Sequence, residues 1–401
     1  MRILMLTPDY PPNTYGGIGT HAYELSIQLA EQGHEVTVIV AKLRRHTNEP
    51  DHYNVEQNGR LLVVRYPTDL RTELFPELPL FNYKKMSIWA FKFAHLNLSL
   101  FPEIIKFIEN KKPFDLIHAH DSYHAITAVS LKETLNIPLV STIHSVTSPA
   151  NHFNDSLRRY MILNSDKVIT VSEWMQKNIT ERYHVFTNDI KVIRNGVRAE
   201  DFKTSTEQHA KNEKKITYIG RLANTKGCDT LIAAFANVVD QGRFNMKLII
   251  VGEGPEMNAL KELVSSYKVE DKVVFTGYLT QKEIREVLGS SFLHIVPSRE
   301  EPFGITALEA LSAGVPTIVS SVGGLQEIIV NNWNGLTFSP DNVYDLGNKI
   351  VQLTEDMNLR DIFIRNGLET AHKYSWVSIT QETEKLYKLT VKQRQGETTL
   401  P

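Results

Sequence analysis

Two glutamates, Glu301 and Glu309, lie around the expected start of a helix in SREEPFGITALEALSAG, residues 298–314. Apolar residues at helical spacing predict this helix over about 305–313. The short apolar run FLHIVP before it, residues 292–297, predicts a buried strand. Open α/β sheets bind ligands at the carboxyl ends of their strands, so both carboxylates could reach a ligand there. These residues alone are equally consistent with two solvated glutamates favoured by the helix dipole.

The start of the same helix also predicts an anion contact. The first N–H groups of a helix have no partner inside it and lie at the positive end of its dipole. The backbone N–H groups of Gly304, Ile305 and Thr306 would therefore point at an anion, and the neighbouring Phe303 belongs to the same candidate site.

A second charged group occurs in GRLANTKG, residues 220–227, between an expected strand and an expected helix. Gly220 permits close backbone approach, while Arg221 and Lys226 place two cations at the strand end. Two cations there could neutralise the charge that develops on a diphosphate leaving group. No Asp-x-Asp motif occurs in the chain to hold a divalent metal on such a group. The alternative is a helix-start turn with two solvated bases.

Two further expected strand ends carry weaker signals. Gly252 and Glu253 follow the strand KLIIV, and Pro255 suits the first turn of the next helix. Tyr278 and Leu279 follow the strand VVFTG and could present backbone groups to a nucleobase, or form a plain turn.

The first half opens with a strand, a glycine-containing loop and a helix. Gly16 and Gly17 precede the helix, so their N–H groups could contact a phosphate or a sugar. The segment GIGTHA, residues 17–22, formally fits the G-x-G-x-x-A dinucleotide fingerprint, and arginines 44 and 45 could suit a 2′-phosphate. The long proline-rich loop before Gly16 argues against it, because that fingerprint needs a tight turn.

Histidines and an aspartate end two further strands of this half. His118, His120, Asp121 and His124 fall in one short segment, and His144 ends the next expected strand. Alternate strand residues share a face, so His118 and His120 could belong to a zinc site. Hydrogen bonding of His120 and Asp121 to a sugar is an equally good explanation, and single histidines are most often satisfied interior side chains.

Strands and helices alternate through both halves, which predicts two doubly wound α/β domains. We expect the first domain over residues 1–196 and the second over 197–375, with a polar linker at 203–214 and a last helix at 376–395. If the ligand-competent strand ends of the two domains faced each other, they would form a cleft. The apolar helix candidate at 86–101 contains Lys92 and His95, and it could lie on a membrane surface or pack on its own domain.

Composition narrows the function classes. The chain has 401 residues, a formal net charge of −2 and one cysteine, Cys228. Nucleic-acid binding would need a basic surplus, and a disulfide framework would need more cysteines. The apolar run in the first ten residues is too short for a signal peptide. These features predict a soluble, cytoplasmic protein.

As an ordered set, these motifs resemble the retaining glycosyltransferases of family 4, which have the two-domain GT-B fold. EPFGITALEALSAGVP with Glu301 and Glu309, GRL-x3-KG and VGEGPE match that family's C-terminal signatures. YPPNTYGGIGTH, HAHD and TIHS are similar to the N-terminal domain of glycogen and starch synthases. The segment 42–85 departs from those synthases, so a polysaccharide acceptor does not follow.

The resemblance implies a role for each matching residue. Arg221 and Lys226 would hold the donor diphosphate, Glu309 the ribose and Glu301 the transferred sugar. His144 and Asp121 would contact that sugar at the reaction centre. Backbone groups around 304–307 and at 16–17 would contact phosphate.

The resemblance also implies the substrates. The donor would be a nucleotide diphosphate sugar of UDP or ADP type that carries glucose or N-acetylglucosamine, with no metal and no other cofactor. The acceptor would be a sugar, an aminocyclitol, a glycan or a lipid-linked glycan. A GT-B epimerase, a phosphorylase and a non-catalytic nucleotide-sugar-binding protein are the alternatives.

Overall fold

A computed structural model gives the fold of residues 1–12, 16–41, 54–66, 88–145, 152–186, 189–202, 214–240, 242 and 244–396, with the side chains of 88–93 and 152 excepted. Contacts divide the chain into two units. Unit 1 comprises Met1–Ile193 and Ile379–Pro401, and unit 2 comprises Arg194–Ser378. The divisions thus fall after residues 193 and 378, where we expected them after 196 and 375.

Unit 1 is built on an eight-stranded sheet in the order β3-β4-β2-β1-β5-β6-β7-β8. All neighbouring strands are parallel except β3, which pairs antiparallel with β4. The strands are β1 (Arg2–Thr7), β2 (Glu35–Ala41), β3 (Asn54–Asn58), β4 (Leu61–Tyr66), β5 (Leu116–His120), β6 (Leu139–Ile143), β7 (Lys167–Thr170) and β8 (Ile190–Val192). The helices are α1 (Gly17–Glu31), α2 (Ile88–Ile108), α3 (Ala125–Leu135), α4 (His152–Asn164) and α5 (Glu173–Tyr183).

Unit 2 has a six-stranded parallel sheet in the order β11-β10-β9-β12-β13-β14. Its strands are β9 (Lys214–Ile219), β10 (Met246–Val251), β11 (Val273–Gly277), β12 (Leu293–Val296), β13 (Thr317–Ser320) and β14 (Leu336–Phe338). Its helices are α6 (Cys228–Asp240), α7 (Met257–Ser266), α8 (Gln281–Gly289), α9 (Ile305–Ser312), α10 (Leu325–Ile328), α11 (Val343–Glu355) and α12 (Met357–Lys373). Helix α13 (Trp376–Arg394) begins in unit 2 and belongs to unit 1 from Ile379 onward.

Each sheet starts in its middle and winds outward in both directions. The order reverses between β1 and β5 in unit 1, and between β9 and β12 in unit 2. Central strands read as continuous apolar runs because helices cover both of their faces. Loops on the two sides of such a reversal diverge at the carboxyl ends of the strands, which opens a crevice for a ligand. The expected α/β class with two parallel sheets is confirmed.

Helix α2 is longer than expected and packs on its own unit. It runs from Ile88 to Ile108 with Pro102 inside it, where we expected a helix over 86–101. Leu96, Leu100 and Ile104 are buried in the core of unit 1. This part of the helix is therefore a core element, and its apolar face is not available to a membrane surface.

Several sequence-based expectations fall outside the described residues. They concern arginines 44 and 45 and linker residues 203–213.

Candidate active site

In unit 2, the loops that follow β9 and β12 bring Lys226 and Glu301 together. Lys226 ends the 3-10 turn Asn224–Lys226, and its Nζ lies 2.7 Å from Glu301 Oε2. The Ser298 hydroxyl donates to the same carboxylate oxygen at 3.2 Å. Since β9 and β12 flank the point where the strand order reverses, this ion pair lies at the ligand-binding position of the sheet.

Arg299 joins the same two loops from the other side. Its guanidinium donates to both carboxylate oxygens of Asp229, at 3.0 and 2.7 Å, and its Nε lies 2.8 Å from Asp341 Oδ1. Its backbone N–H donates to the Thr225 carbonyl at 2.8 Å. Burial raises the pKa of Asp229, but the Arg299 guanidinium outweighs it and holds that pKa below its usual value. Arg299 thus fixes the turn that presents Lys226.

Two glycines allow the loops to approach this closely. A Cβ on Gly227 would lie 2.0 Å from the Pro297 carbonyl oxygen, and the residue has φ +62°. A Cβ on Gly252 would lie 2.0 Å from the Gly220 carbonyl oxygen, at φ +127°. Side chains at these positions would push the strand ends apart, so the glycines are required by backbone proximity.

Hydrogen bonds connect the ends of β9, β10 and β11. The Gly220 N–H donates to the Val251 carbonyl at 3.0 Å, and the Gly252 N–H donates to the Gly277 carbonyl at 2.8 Å. The Leu222 N–H donates to the Glu253 carbonyl at 2.9 Å. The two weaker sequence signals therefore meet the Gly220 loop at one edge of the sheet. The side chains of Arg221, Glu253 and Tyr278 are exposed there, and Leu279 is half-buried.

Helix α9 begins at Ile305 after Gly304, which has φ +111° and offers no side-chain cap. The N–H groups of Ile305 and Thr306 cannot bond within the helix, so an anion could accept from them. Glu309 is only 6% exposed and Glu301 is half-buried, which makes the solvated interpretation of the two glutamates wrong. Phe303 is buried beside Tyr374. Only the backbone of Phe303 could therefore face a donor.

In unit 1, the corresponding edge is lined by imidazoles. His120 ends β5 and His144 follows β6, and His120 Nδ1 lies 3.1 Å from His144 Nε2. His21, on α1, lies beside both, with ring centroids 5.3 Å from His120 and 4.8 Å from His144. His21 was not among the predicted site residues. Its signal was its place in the first turns of the helix that follows the glycine loop, since such a helix begins at the same edge as the strand ends.

The other two histidines of the HAHDSYH segment are used inside the fold. His118 Nε2 is hydrogen-bonded to the Thr142 hydroxyl at 2.7 Å, and its Nδ1 to the Tyr387 hydroxyl at 2.5 Å. His124 Nε2 is hydrogen-bonded to the Ala41 carbonyl at 2.8 Å. The His118 and His120 rings share a face as expected, with centroids 4.2 Å apart. A zinc site that uses both His118 and His120 is therefore wrong.

Asp121 is held in a buried ion pair. Its Oδ1 lies 2.9 Å from an Arg158 nitrogen, and its Oδ2 accepts from the Ser145 hydroxyl at 2.8 Å. Its backbone has φ +56°, and its side chain caps the following 3-10 turn by accepting from the Ser122 N–H. Burial raises the pKa of Asp121, but Arg158 outweighs it and holds the pKa below its usual value. This carboxylate shapes the β5 loop, and its partner on α4 had no signal in the sequence.

The imidazoles of His118 and His120, which are buried, and of His144, which is half-buried, are kept neutral at pH 7. Burial, reinforced by the neighbouring His21, lowers the pKa of His118 and of His144 well below the usual range. Burial and the His118 ring do the same to the pKa of His120. Gly16 and Gly17, at the start of α1, are exposed at the same edge.

Comparison with known proteins assigns the chain to a family. A family model described as Glycosyltransferase Family 4 matches residues 15–201, and one described as Glycosyl transferases group 1 matches residues 200–370. An uncharacterised glycosyltransferase of Methanocaldococcus jannaschii is 30% identical over 97% of this chain and 98% of its own length. The chain is a family 4 glycosyltransferase. This family 4 enzyme is also 28% identical to a glycogen synthase of Mycobacterium tuberculosis, over 96% of the chain and 94% of that protein.

Solved structures show the fold of the glycosyltransferase. Sucrose-phosphate synthase from Thermosynechococcus elongatus superposes with a TM-score of 0.80 at 23% identity, over 97% of this chain and 98% of that one. HepE from Anabaena, crystallised with UDP and glucose, gives 0.74 at 21% identity, over 96% and 99%. The expected GT-B fold is confirmed. Within the described residues, no helix is both long and apolar enough to cross a membrane.

Proposed function

We propose that this glycosyltransferase moves glucose or N-acetylglucosamine from a UDP- or ADP-sugar to an acceptor hydroxyl, with retention of the anomeric configuration and without a metal. The observation that carries the proposal is the Lys226–Glu301 pair, 2.7 Å apart where the strand order of unit 2 reverses. It joins a cation suited to a diphosphate with a carboxylate suited to sugar hydroxyls. The likeness to a glycogen synthase and to HepE with UDP and glucose supports this donor class.

The diphosphate would be held by side-chain cations and helix N–H groups. An ammonium group has three N–H donors, so Lys226 can remain bonded to Glu301 and still donate to phosphate. Arg221 is exposed in the same loop as Lys226, and the start of α9 adds the N–H groups of Ile305 and Thr306. The chain has no Asp-x-Asp motif with which to hold a divalent metal on the donor. These groups would instead neutralise the charge that develops on the leaving group.

The remaining donor contacts follow the family pattern. Glu309 would contact the ribose and Glu301 the transferred sugar. The exposed turn at Tyr278 and Leu279 would present backbone groups to the nucleobase. From unit 1, His144 and the N–H groups of Gly16 and Gly17 would contact the sugar and phosphate.

Chemistry at this site depends on position and charge. A glycosyl carbon with developing positive charge needs electrostatic placement more than it needs a strong base. The acceptor hydroxyl would attack from the side on which the diphosphate leaves, and the departing phosphate would take its proton. His144 stays neutral at pH 7, so it would act as a hydrogen-bonding group and not as a cation.

The acceptor would be a hydroxyl-bearing small molecule or glycan. A sugar, an aminocyclitol, a glycan and a lipid-linked glycan all satisfy the chemistry. Nucleic acid is not proposed as an acceptor, because binding its phosphates needs a basic surplus and the chain has a formal net charge of −2.

The experiment starts with a thermal-shift screen of UDP, ADP, GDP and TDP and of their sugars, since a ligand that binds the native state raises the melting temperature. The best donor is then assayed for transfer to an acceptor panel. Glu301→Gln and Arg221→Ala should each reduce transfer, whereas Glu300→Gln, at the exposed neighbouring position, should retain it. Transfer unchanged in the first two variants would overturn the assignment.

Further readouts separate the alternatives. Proton NMR of the product should show the donor's anomeric configuration, and EDTA should leave the rate unchanged. Donor epimerised without acceptor would indicate an epimerase, and phosphate-dependent breakdown of a glycan would indicate a phosphorylase. Donor binding without turnover on any acceptor would indicate a binding protein.

A further inference from the structure

Three imidazoles of unit 1 converge in one place. His21, His120 and His144 each offer a ring nitrogen, and these three atoms lie within 4.8 Å of one another. They come from three different elements, α1, the end of β5 and the loop after β6. The proposed sugar transfer does not require His21 or His120. The proximity of the three rings therefore indicates a separate role.

The separations are close to those of a metal site. Two imidazole nitrogens bound to one tetrahedral zinc ion at about 2.0–2.1 Å lie about 3.4 Å apart. His120 Nδ1 and His144 Nε2 are already 3.1 Å apart. The widest separation in the cluster is 4.8 Å, so a side-chain movement of about 1–2 Å would bring all three nitrogens to bonding distance.

The surroundings favour ligation by these three histidines and not by their neighbours. His118 has both ring nitrogens occupied, by Thr142 and Tyr387, and so cannot bind an ion. An ion between His120 Nδ1 and His144 Nε2 would replace the hydrogen bond that these two atoms now share.

The cluster is also open on one side. His21 and His120 are 2% and 0% exposed, whereas His144 is half-buried and gives access from solvent. Three histidines with one accessible position are the arrangement in which zinc keeps a fourth, exchangeable ligand.

We propose that His21, His120 and His144 bind one first-row transition-metal ion, with zinc as the best fit, and that this ion reversibly inhibits the enzyme. The inhibitory part rests on the proposed function, because the ion would occupy the place at which His144 contacts the donor sugar. A metal here does not assist transfer. It excludes the sugar, and its removal restores the free enzyme.

The test is a metal titration of the full chain without an affinity tag and without donor. Cobalt(II) should give the visible absorption bands of a tetrahedral nitrogen site, and calorimetry with zinc should show one ion per chain. His21→Ala and His120→Ala should each weaken zinc binding at least about tenfold, since each removes one of three ligands. His184→Asn is the matched control, because His184 is an exposed helix-cap residue in a left-handed conformation that asparagine tolerates.

Circular dichroism and melting curves establish that each variant is folded, and His144→Ala, at the half-buried position, provides a ligand variant with the smallest risk to the core. Zinc should lower transfer by the native enzyme and by His184→Asn, and EDTA should restore it. Transfer by His21→Ala should be less sensitive to zinc.

The outcomes separate the two proposals. Saturable zinc binding by the native chain, with no transfer to any acceptor by the zinc-free enzyme, supports the metal site and removes the proposed function. Normal transfer with no saturable zinc binding, or with binding unchanged in the histidine variants, overturns the metal site alone.

Discussion

The carboxyl edges of the two sheets occupy the same topological position and are built from different materials. In unit 2, the edge consists of close-packed backbone, with charged side chains such as Lys226 and Glu301 partly accessible. In unit 1, it consists of buried neutral imidazoles and the buried Asp121–Arg158 pair. The same position in the fold can therefore do different work in the two sheets. Where backbone N–H groups and cations meet, it suits the binding of an anion. Where neutral rings are packed together, it suits hydrogen bonding by uncharged groups in fixed positions.

The largest effect should come from removing the cation of the unit 2 edge. Lys226→Ala should lower the rate of sugar transfer about 100- to 1,000-fold, the range for loss of one preorganised group that stabilises developing charge. Lys282→Ala, at an exposed position on α8, should leave the rate within about twofold. Steady-state assays with the donor identified by thermal shift measure the transfer rates of both variants. Equal rates would show that the charge of Lys226 does not distinguish the unit 2 edge from the unit 1 edge.

The counterpart in unit 1 is a loss of stability. Asp121→Asn leaves the Arg158 charge buried without its partner, and breaking a buried pair costs about 3 kcal/mol or more of unfolding free energy. Asp189→Asn removes a surface partner of Lys167 and should cost less than about 1 kcal/mol. Denaturant unfolding of the two variants measures the contrast. A loss below about 1 kcal/mol for Asp121→Asn would mean that this edge does not depend on its ion pair.

A glycine substitution tests whether backbone proximity matters in unit 2. Gly227→Ala would place a Cβ against the Pro297 carbonyl and displace the adjacent Lys226, so donor affinity should fall about tenfold or more. Gly242→Ala has a similar positive φ of +66° but nothing within 4 Å, and should leave donor affinity unchanged. Calorimetric titration with the donor compares the two. Equal affinities would show that the loop adjusts without moving the lysine.

The smallest effect expected for a single residue is the loss of unfolding free energy at low pH. Burial lowers the pKa of His118, His120 and His144, and it lowers that of His124 to about 4. The unfolded chain therefore binds more protons than the native one below the ordinary histidine pKa. Stability should be full above about pH 6.5 and fall by about 1.4 kcal/mol per histidine for each pH unit below it.

Unit 2 contributes less to this dependence, since among its described residues His294 is the one buried histidine, with a pKa lowered by burial to about 3. Urea unfolding between about pH 7.5 and pH 5.5 should reveal the loss. Unfolding free energy that stays flat over this range would show that the unit 1 imidazoles are not held neutral.

Local sequence patterns were sufficient to predict the series of strands and helices and the candidate site residues of the unit 2 edge. Apolar runs, glycines and helix spacing predicted the strand series and placed Lys226 and Glu301 at strand ends, because these signals act within a few residues. The antiparallel strand β3 was not predicted, since its sequence NVEQN is mostly polar and all five of its residues are exposed. An edge strand of this kind leaves no periodic signal.

The partners of the unit 1 edge could not be predicted for a different reason. Arg158 is 37 positions from Asp121 in the chain, and Tyr387 is 269 positions from His118. Neither position has a composition or spacing that marks it, because these pairs are specified by packing of whole elements. Burial of Glu309 likewise depends on tertiary packing, which the helical pattern of the sequence does not predict.

We propose that the unit 2 edge binds a nucleotide diphosphate through Lys226. The most direct measurement is calorimetric titration of UDP-glucose and ADP-glucose into the native enzyme and into Lys226→Ala. We expect one donor molecule to bind per chain, with an affinity at least about tenfold lower in the variant. Native and variant enzymes that bind both donors equally well would contradict it.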